Sequence, residues 1–316
     1  MKTIYLECAT GISGDMIVAA LLDLGADQDR LMQVLSGIKD QGFSIEISRV
    51  KKGGIDCCDF DVVLDESHDN HDHDMAYLYG HIRGGAFCTE GHEHHGDHEH
   101  HGDHEHHGDH EHHGDHEHHG DHEHHEHHEH HGDHEHHEHH EHHEHHEHRN
   151  LKDVTAIIDS LDMTESAHDL AIRIFEILAE AEAKAHGTSL DEVHFHEVGA
   201  IDSIVDIVSA AVCFDSLGIT DVIIPKICEG TGSVRCQHGI LPVPVPAVLN
   251  IAAAYGLPLS ITDRPGEYVT PTGAAFCAAV MTSTTLPDVI VPEKAGLGAG
   301  KRTYEQPSIL RAILLK

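Results

Sequence analysis

The sequence predicts an α/β fold, with α+β as the alternative: a small N-terminal unit, a long polar insert and a larger C-terminal unit. Three observations carry this. Runs with a period of two, such as Phe43–Val50 and Ile55–Leu64, read as strands. Apolar residues at helical spacing, as over about 15–24 and 165–186, read as helices. Between about Glu66 and Arg149 the chain abandons any packable pattern. The units are therefore set at 1–65, 66–149 and 150–316.

In the first unit, Thr3–Cys8 is a strand and 15–24 a helix. Ser13 or Asp15 can cap that helix, and Gly25 stands where a terminating glycine belongs. The loop between them, with Gly11, Ser13 and Gly14, turns backbone N–H groups toward an anion. It is neither a Walker A nor a G-x-G-x-x-G pattern. Asp15 at its mouth either helps hold a metal or caps the helix. A short helix over 27–38 follows. Two alternating strands joined at Lys51–Gly54 then complete a β-α-α-β-β unit.

The insert dominates the composition of this 316-residue chain. Of 41 His and 56 acidic residues, 32 and 19 fall between His92 and His148, which hold no Lys or Arg. Gly-Asp-His-Glu-His-His repeats there and then collapses to Glu-His-His. Without apolar residues the tract is expected to be disordered on its own. It reads either as a buffer for nickel, copper or zinc or as a neutral spacer. Outside it, 37 acids stand against 19 bases, which argues against a nucleic-acid partner. With no Trp and 4% aromatics, the core must be aliphatic and Ala-rich. The eight Cys form no C-x-x-C pair, and Cys57–Cys58 are too close for a relaxed bridge, as expected of a reducing cytosol. Glu7 interrupts any signal-peptide core, and no apolar run reaches 18 residues. The protein is expected to be cytoplasmic, with no membrane partner.

In the C-terminal unit, Asn150–Leu161 is a short helix, and Asp162 with Glu165 resembles a capping box opening a long one that ends at Gly187. A nearly apolar helix covers about 203–217, followed by a strand at Val222–Pro225 and a loop at Glu229–Ser233. Prolines 242, 244 and 246 mark an extended edge. His238, within it, is a candidate ligand or acid–base group, or a structural residue. Glu267, Thr270, Thr272 and Gly273 stand just ahead of an Ala-rich helix, whose N-terminus is a second anion seat. Gly296-Leu-Gly298-Ala-Gly300 followed by Lys301 and Arg302 reads as a phosphate cradle or a linker.

The densest chemistry lies at 194–206. On an extended segment His194 and His196 share one face, and Glu197 follows. Asp202 and Asp206, four apart, share one side of a helix. Mixed nitrogen and carboxylate donors suit divalent first-row metals such as nickel, zinc or manganese. Alternatively Asp202 caps, Asp206 is solvated and the histidines bond backbone.

Taken together, GISGDM (11–16), the His-rich insertion, HFHEVGAIDSIVDIV (194–208), HGILPVPVPAVL (238–249), GEYVTPTGAA (266–275) and GLGAGKR (296–302) resemble the LarC family of nickel insertion proteins. That resemblance implies a CTP-dependent cyclometallase. It inserts Ni²⁺, as substrate, into pyridinium-3,5-bisthiocarboxylic acid mononucleotide and makes the nickel-pincer cofactor of lactate racemase-type enzymes. It implies Mn²⁺ or Mg²⁺ with CTP, an apo-enzyme acceptor for the product, and a homo-oligomer. Full-length members continue past the GLGAG block into a CTP-binding part, so this chain is expected to act with a separate C-terminal part.

On this reading His194, His196, Glu197, Asp202 and Asp206 hold the metal. His238, Glu267 and Asp15 are the catalytic candidates. Gly11, Ser13, Gly14, Thr270, Thr272, Gly273, Gly298, Gly300, Lys301 and Arg302 contact the precursor or nucleotide. A nickel store without catalysis is the alternative, and a metal-dependent phosphohydrolase the third.

Overall fold

Both ends of the chain build one sheet. The computed structural model describes residues 2–39, 42–65, 75–79, 149–195 and 199–316. The His-rich tract read as a metal buffer or a spacer, His196 and Glu197 therefore lie outside the described residues.

Strand β1 (Thr3–Glu7) buries Ile4 and Leu6 on alternate positions. Helix α1 (Gly14–Leu24) is almost wholly buried; Ser13 is its N-cap without a side-chain cap bond, and Gly25 ends it at φ +105°. Helix α2 (Gln28–Leu35) is capped by Asp27, which accepts from the Arg30 N–H. Strands β2 (Phe43–Lys52) and β3 (Ile55–Leu64) pair in unbroken register around Gly53 and Gly54, both at positive φ. The β-α-α-β-β order is as the sequence reads.

Beyond a short α3 (Met75–Tyr79), α4 (Leu151–Asp159) opens with a capping box between Asn150 and Asp153. Helix α5 (Glu165–His186) is capped by Thr164, which accepts from Ala167 N–H. The box expected from Asp162 and Glu165 is thus corrected; Asp162 instead pairs with Arg30 at 3.3 Å. Helix α6 (Ile201–Ser216) is largely buried and leads to β4 (Asp221–Ile223). The loop expected at 229–233 is instead the end of β5 (Ile227–Thr231), a turn at Gly232, and the start of β6 (Ser233–Cys236). Among the described residues strand β7 (Gly239–Pro242) pairs with β6 alone, an edge role that suits Pro242 at its end. Helices α7 (Pro246–Tyr255) and α8 (Pro271–Val280), each with proline in the first turn, flank β8 (Leu259–Pro265).

The last strands are β9 (Pro292–Ala299) and β10 (Ile309–Leu315). The main sheet runs β2-β3-β9-β10-β1-β4, with β5–β8 and β6–β7 as separate pairs. The residues read as two units therefore share one sheet. Strand β9 also corrects the expected glycine loop at 296–300. A Cβ on Gly296 would lie 2.1 Å from the Ala20 carbonyl oxygen, and one on Gly298 2.1 Å from that of Met16. These glycines let the α1 backbone settle directly on the sheet. The core beneath is aliphatic, with Phe60, Phe175, Phe195 and Phe276 as its largest fully buried rings.

Candidate functional site

That close seating of α1 brings its first turn to a cavity of about 270 Å³. The first residues of α6, α7 and α8 line it too, as do residues following β9. Four helix N-termini give the cavity a positive backbone field. Against that field stand Asp15, Asp202 and Asp206.

Asp15 is 9% exposed and accepts hydrogen bonds from the Ser13 hydroxyl and, at 3.3 Å, from the Lys301 N–H. Asp206 is seated on Gly14, where a Cβ would come within 2.4 Å of its Oδ2. The residue as a whole is half-buried, yet its Oδ1 is shut off from solvent and has no hydrogen-bond partner among the described residues. Burial first, then the neighbouring charges of Asp15 and Asp202, push its pKa well above the ordinary carboxylate range. Like charges crowded in this way favour either a bound proton or a bound cation. Among the described residues no three His, Cys, Asp or Glu side chains stand as a ready coordination group, so the wall offers charge without a preformed shell.

Lys301 and Arg302 are already engaged. Lys301 Nζ lies 2.8 Å from Asp59 and 3.2 Å from Asp61, and Arg302 donates to Glu267 Oε2 at 2.5 Å. At the start of α8, Thr270 caps by accepting from Gly273 N–H at 3.2 Å, and Thr272 faces the cavity. The cap takes up the Gly273 N–H and Pro271 has none, so an anion at α8 meets the helix field and Thr272.

Of the sequence candidates, Ser13, Gly14, Asp15, Asp202, Asp206, His238, Glu267, Thr270, Thr272, Gly300, Lys301 and Arg302 line this one cavity. Gly11, Gly273 and Gly298 do not, being packed against the backbone of Tyr268, Ile12 and Met16. His194 is exposed and also outside the lining.

Sequence reasoning missed three features. Glu229, 0% exposed on β5, accepts through Oε1 from the N–H groups of Gly230, Tyr268 and Val269 at 2.7, 2.7 and 3.2 Å. It thereby fixes the turn that carries Glu267 and Tyr268. Its Oε2 has no hydrogen-bond partner among the described residues, and burial raises its pKa to about 7 against the opposing effect of those bonds. Tyr268 and Tyr304 stack, with centroids 4.2 Å apart, and both line the cavity. Glu182, His186 and Cys236 also line it, close to His238. The signal for Glu229 was a carboxylate set among turn glycines, a stretch that reads as a loop.

A family model described as nickel insertion protein matches residues 4–316. The pyridinium-3,5-bisthiocarboxylic acid mononucleotide nickel insertion protein of Alkaliphilus metalliredigens is 44% identical over 314 residues, covering 99% of this chain and 60% of that protein. Proteins of the same description from Clostridium acetobutylicum and Acetivibrio thermocellus are 39% and 33% identical, with 64% and 60% of their lengths covered. The chain thus spans about 60% of the length of these curated relatives. No solved structure gives a significant match. A match that runs through every element of the sheet and every wall of the cavity means that the chain belongs to the nickel insertion protein family.

Proposed function

We propose that this chain binds nickel and the pyridinium-3,5-bisthiocarboxylic acid mononucleotide precursor and carries out the metal insertion, in a reaction that also uses CTP. The observation that carries this reading is a single cavity combining an acidic wall with four helix N-termini, a surface suited to a cation and an anion together. The names of the relatives supply the substrate.

A hard dication accompanying CTP fits Asp15, Asp202 and Asp206. It would supply positive charge for phosphate binding, and it relieves the crowding that pushes Asp206 upward. The precursor's phosphate suits the N-terminus of α8 at Thr270–Thr272. Arg302 contributes by exchange, since an anion arriving beside it competes with Glu267 for the guanidinium. Glu267, once released, accepts the proton lost from the pyridinium carbon. The electron pair of that C–H bond then forms the carbon–nickel bond, and the thiocarboxylate sulfurs close the pincer.

The test follows nickel-pincer product by mass spectrometry alongside equilibrium binding of the precursor. Glu267→Gln should bind precursor at least as tightly as wild type, because Gln no longer competes for Arg302, and should make no product, because the proton acceptor is removed. Product formation at the wild-type rate by Glu267→Gln overturns the assignment. A store without catalysis is favoured only by the His-rich tract, and it predicts nickel binding with no product at all.

A further inference from the structure

A second group of donors lines the same cavity and differs chemically from the acidic wall. At the C-terminal end of α5, Glu182 and His186 lie one turn apart, with Oε2 3.5 Å from Nε2. The rings of His186 and His238 have centroids 4.8 Å apart. His238 Nδ1 is 3.9 Å from Cys236 Sγ across the turn between β6 and β7. Among the described residues Cys236 is the one cysteine that is not buried. Two elements distant in sequence thus bring a thiol, two imidazoles and a carboxylate to one edge of the cavity.

These donors approach each other in pairs, and no three of them converge on one point. They sit, however, on a helix end and a hairpin turn, and each side chain has alternative staggered rotamers. Sulfur and nitrogen donors prefer late first-row divalent metals, whereas the all-oxygen wall prefers magnesium or manganese. We propose that Cys236, His238 and His186, assisted by Glu182, form a receiving site for a soft divalent metal, separate from the acidic wall. Its identification with the substrate nickel rests on the function proposed above; the site itself does not. On that reading the cavity sorts two metals by donor type. The receiving site passes nickel from the protein thiolate to the precursor's thiocarboxylate sulfurs by exchange of one sulfur ligand for another. His238 is then a metal ligand, which leaves proton transfer to Glu267.

Cobalt(II) titration of the full chain tests this, because a sulfur-to-cobalt charge-transfer band reports thiolate ligation alone. The tract at 92–148 contains no Cys and cannot produce that band. The wild type should show it, Cys88→Ser should keep it, and Cys236→Ser should lose it with an unchanged melting temperature. His186→Ala should keep the thiolate and weaken apparent cobalt affinity by about tenfold. No band in the wild type, a band that survives in Cys236→Ser, or unchanged affinity in His186→Ala overturns the site. Absence of insertion by the wild-type chain in the complete reaction mixture, with the band present, would overturn the proposed function and leave this site standing.

Discussion

Replacing Glu229 by Gln should stabilise the protein above neutral pH and change little in acid. In the folded chain this carboxyl is raised from its ordinary 4.5 to about 7 by burial. The folded state therefore holds the proton more tightly than the unfolded state. Stability from this source is fully present below about pH 4.5 and is lost as pH rises through about 7. At roughly 1.4 kcal/mol per pH unit, the gap between the two values amounts to about 3 kcal/mol. Gln is a fair comparison, because it keeps an acceptor for the N–H groups of Gly230, Tyr268 and Val269. Its amide also places a donor where the protonated acid would place its O–H. Urea denaturation of both proteins near pH 5 and pH 8 is the assay, and titration of the His-rich tract cancels between them. The difference should move in favour of Gln by about 2–3 kcal/mol between the two conditions. A difference that stays constant, or that moves toward the wild type, refutes the reasoning.

Gly298→Ala should cost about 2–3 kcal/mol, since the new methyl would stand 2.1 Å from the Met16 carbonyl oxygen and 2.6 Å from the Ala20 nitrogen. Gly54→Ala, with nothing within 4 Å, should cost only about 1 kcal/mol from its positive φ, and thermal melts compare the two. Asp206→Asn should weaken Mn²⁺ binding by at least about tenfold, or 1.4 kcal/mol, without loss of stability; electron paramagnetic resonance of free Mn²⁺ measures the first and melting the second. Because burial and the neighbouring acids raise Asp206 above the ordinary carboxylate range, a cation competes with its proton, and wild-type Mn²⁺ affinity should climb with pH above that range. That slope should be smaller in Asp206→Asn; equal slopes would mean that this carboxyl does not govern binding.

What was legible in the sequence depended on how locally each feature is determined. The limits of α1 and α5 could be read because Gly25 and Gly187 end them with left-handed backbones. The hairpin could be read because Gly53 and Gly54 meet its turn geometry. Asp202 and Asp206 could be placed on one side because helical spacing requires it. The run from Gly296 to Gly300 was misread because glycine is a local turn signal, whereas here its cause is a helix almost 280 residues earlier in the chain. Thr164 took the cap in place of Asp162 because Arg30, far away in sequence, engages Asp162. Glu229 and the pairing of His186 with His238 share that origin. Their meaning comes from partners about forty to fifty residues distant, which no local pattern encodes.

The most direct test of the account is reconstitution of nickel insertion. The full chain would be mixed with the bisthiocarboxylated pyridinium mononucleotide, Ni²⁺, CTP and Mn²⁺. It would be assayed with and without the portion of a longer relative that this chain does not match. The account predicts nickel-pincer product that requires this chain and is lost in Glu267→Gln. Absence of product from the complete mixture, with Mn²⁺ and precursor still bound, would contradict it.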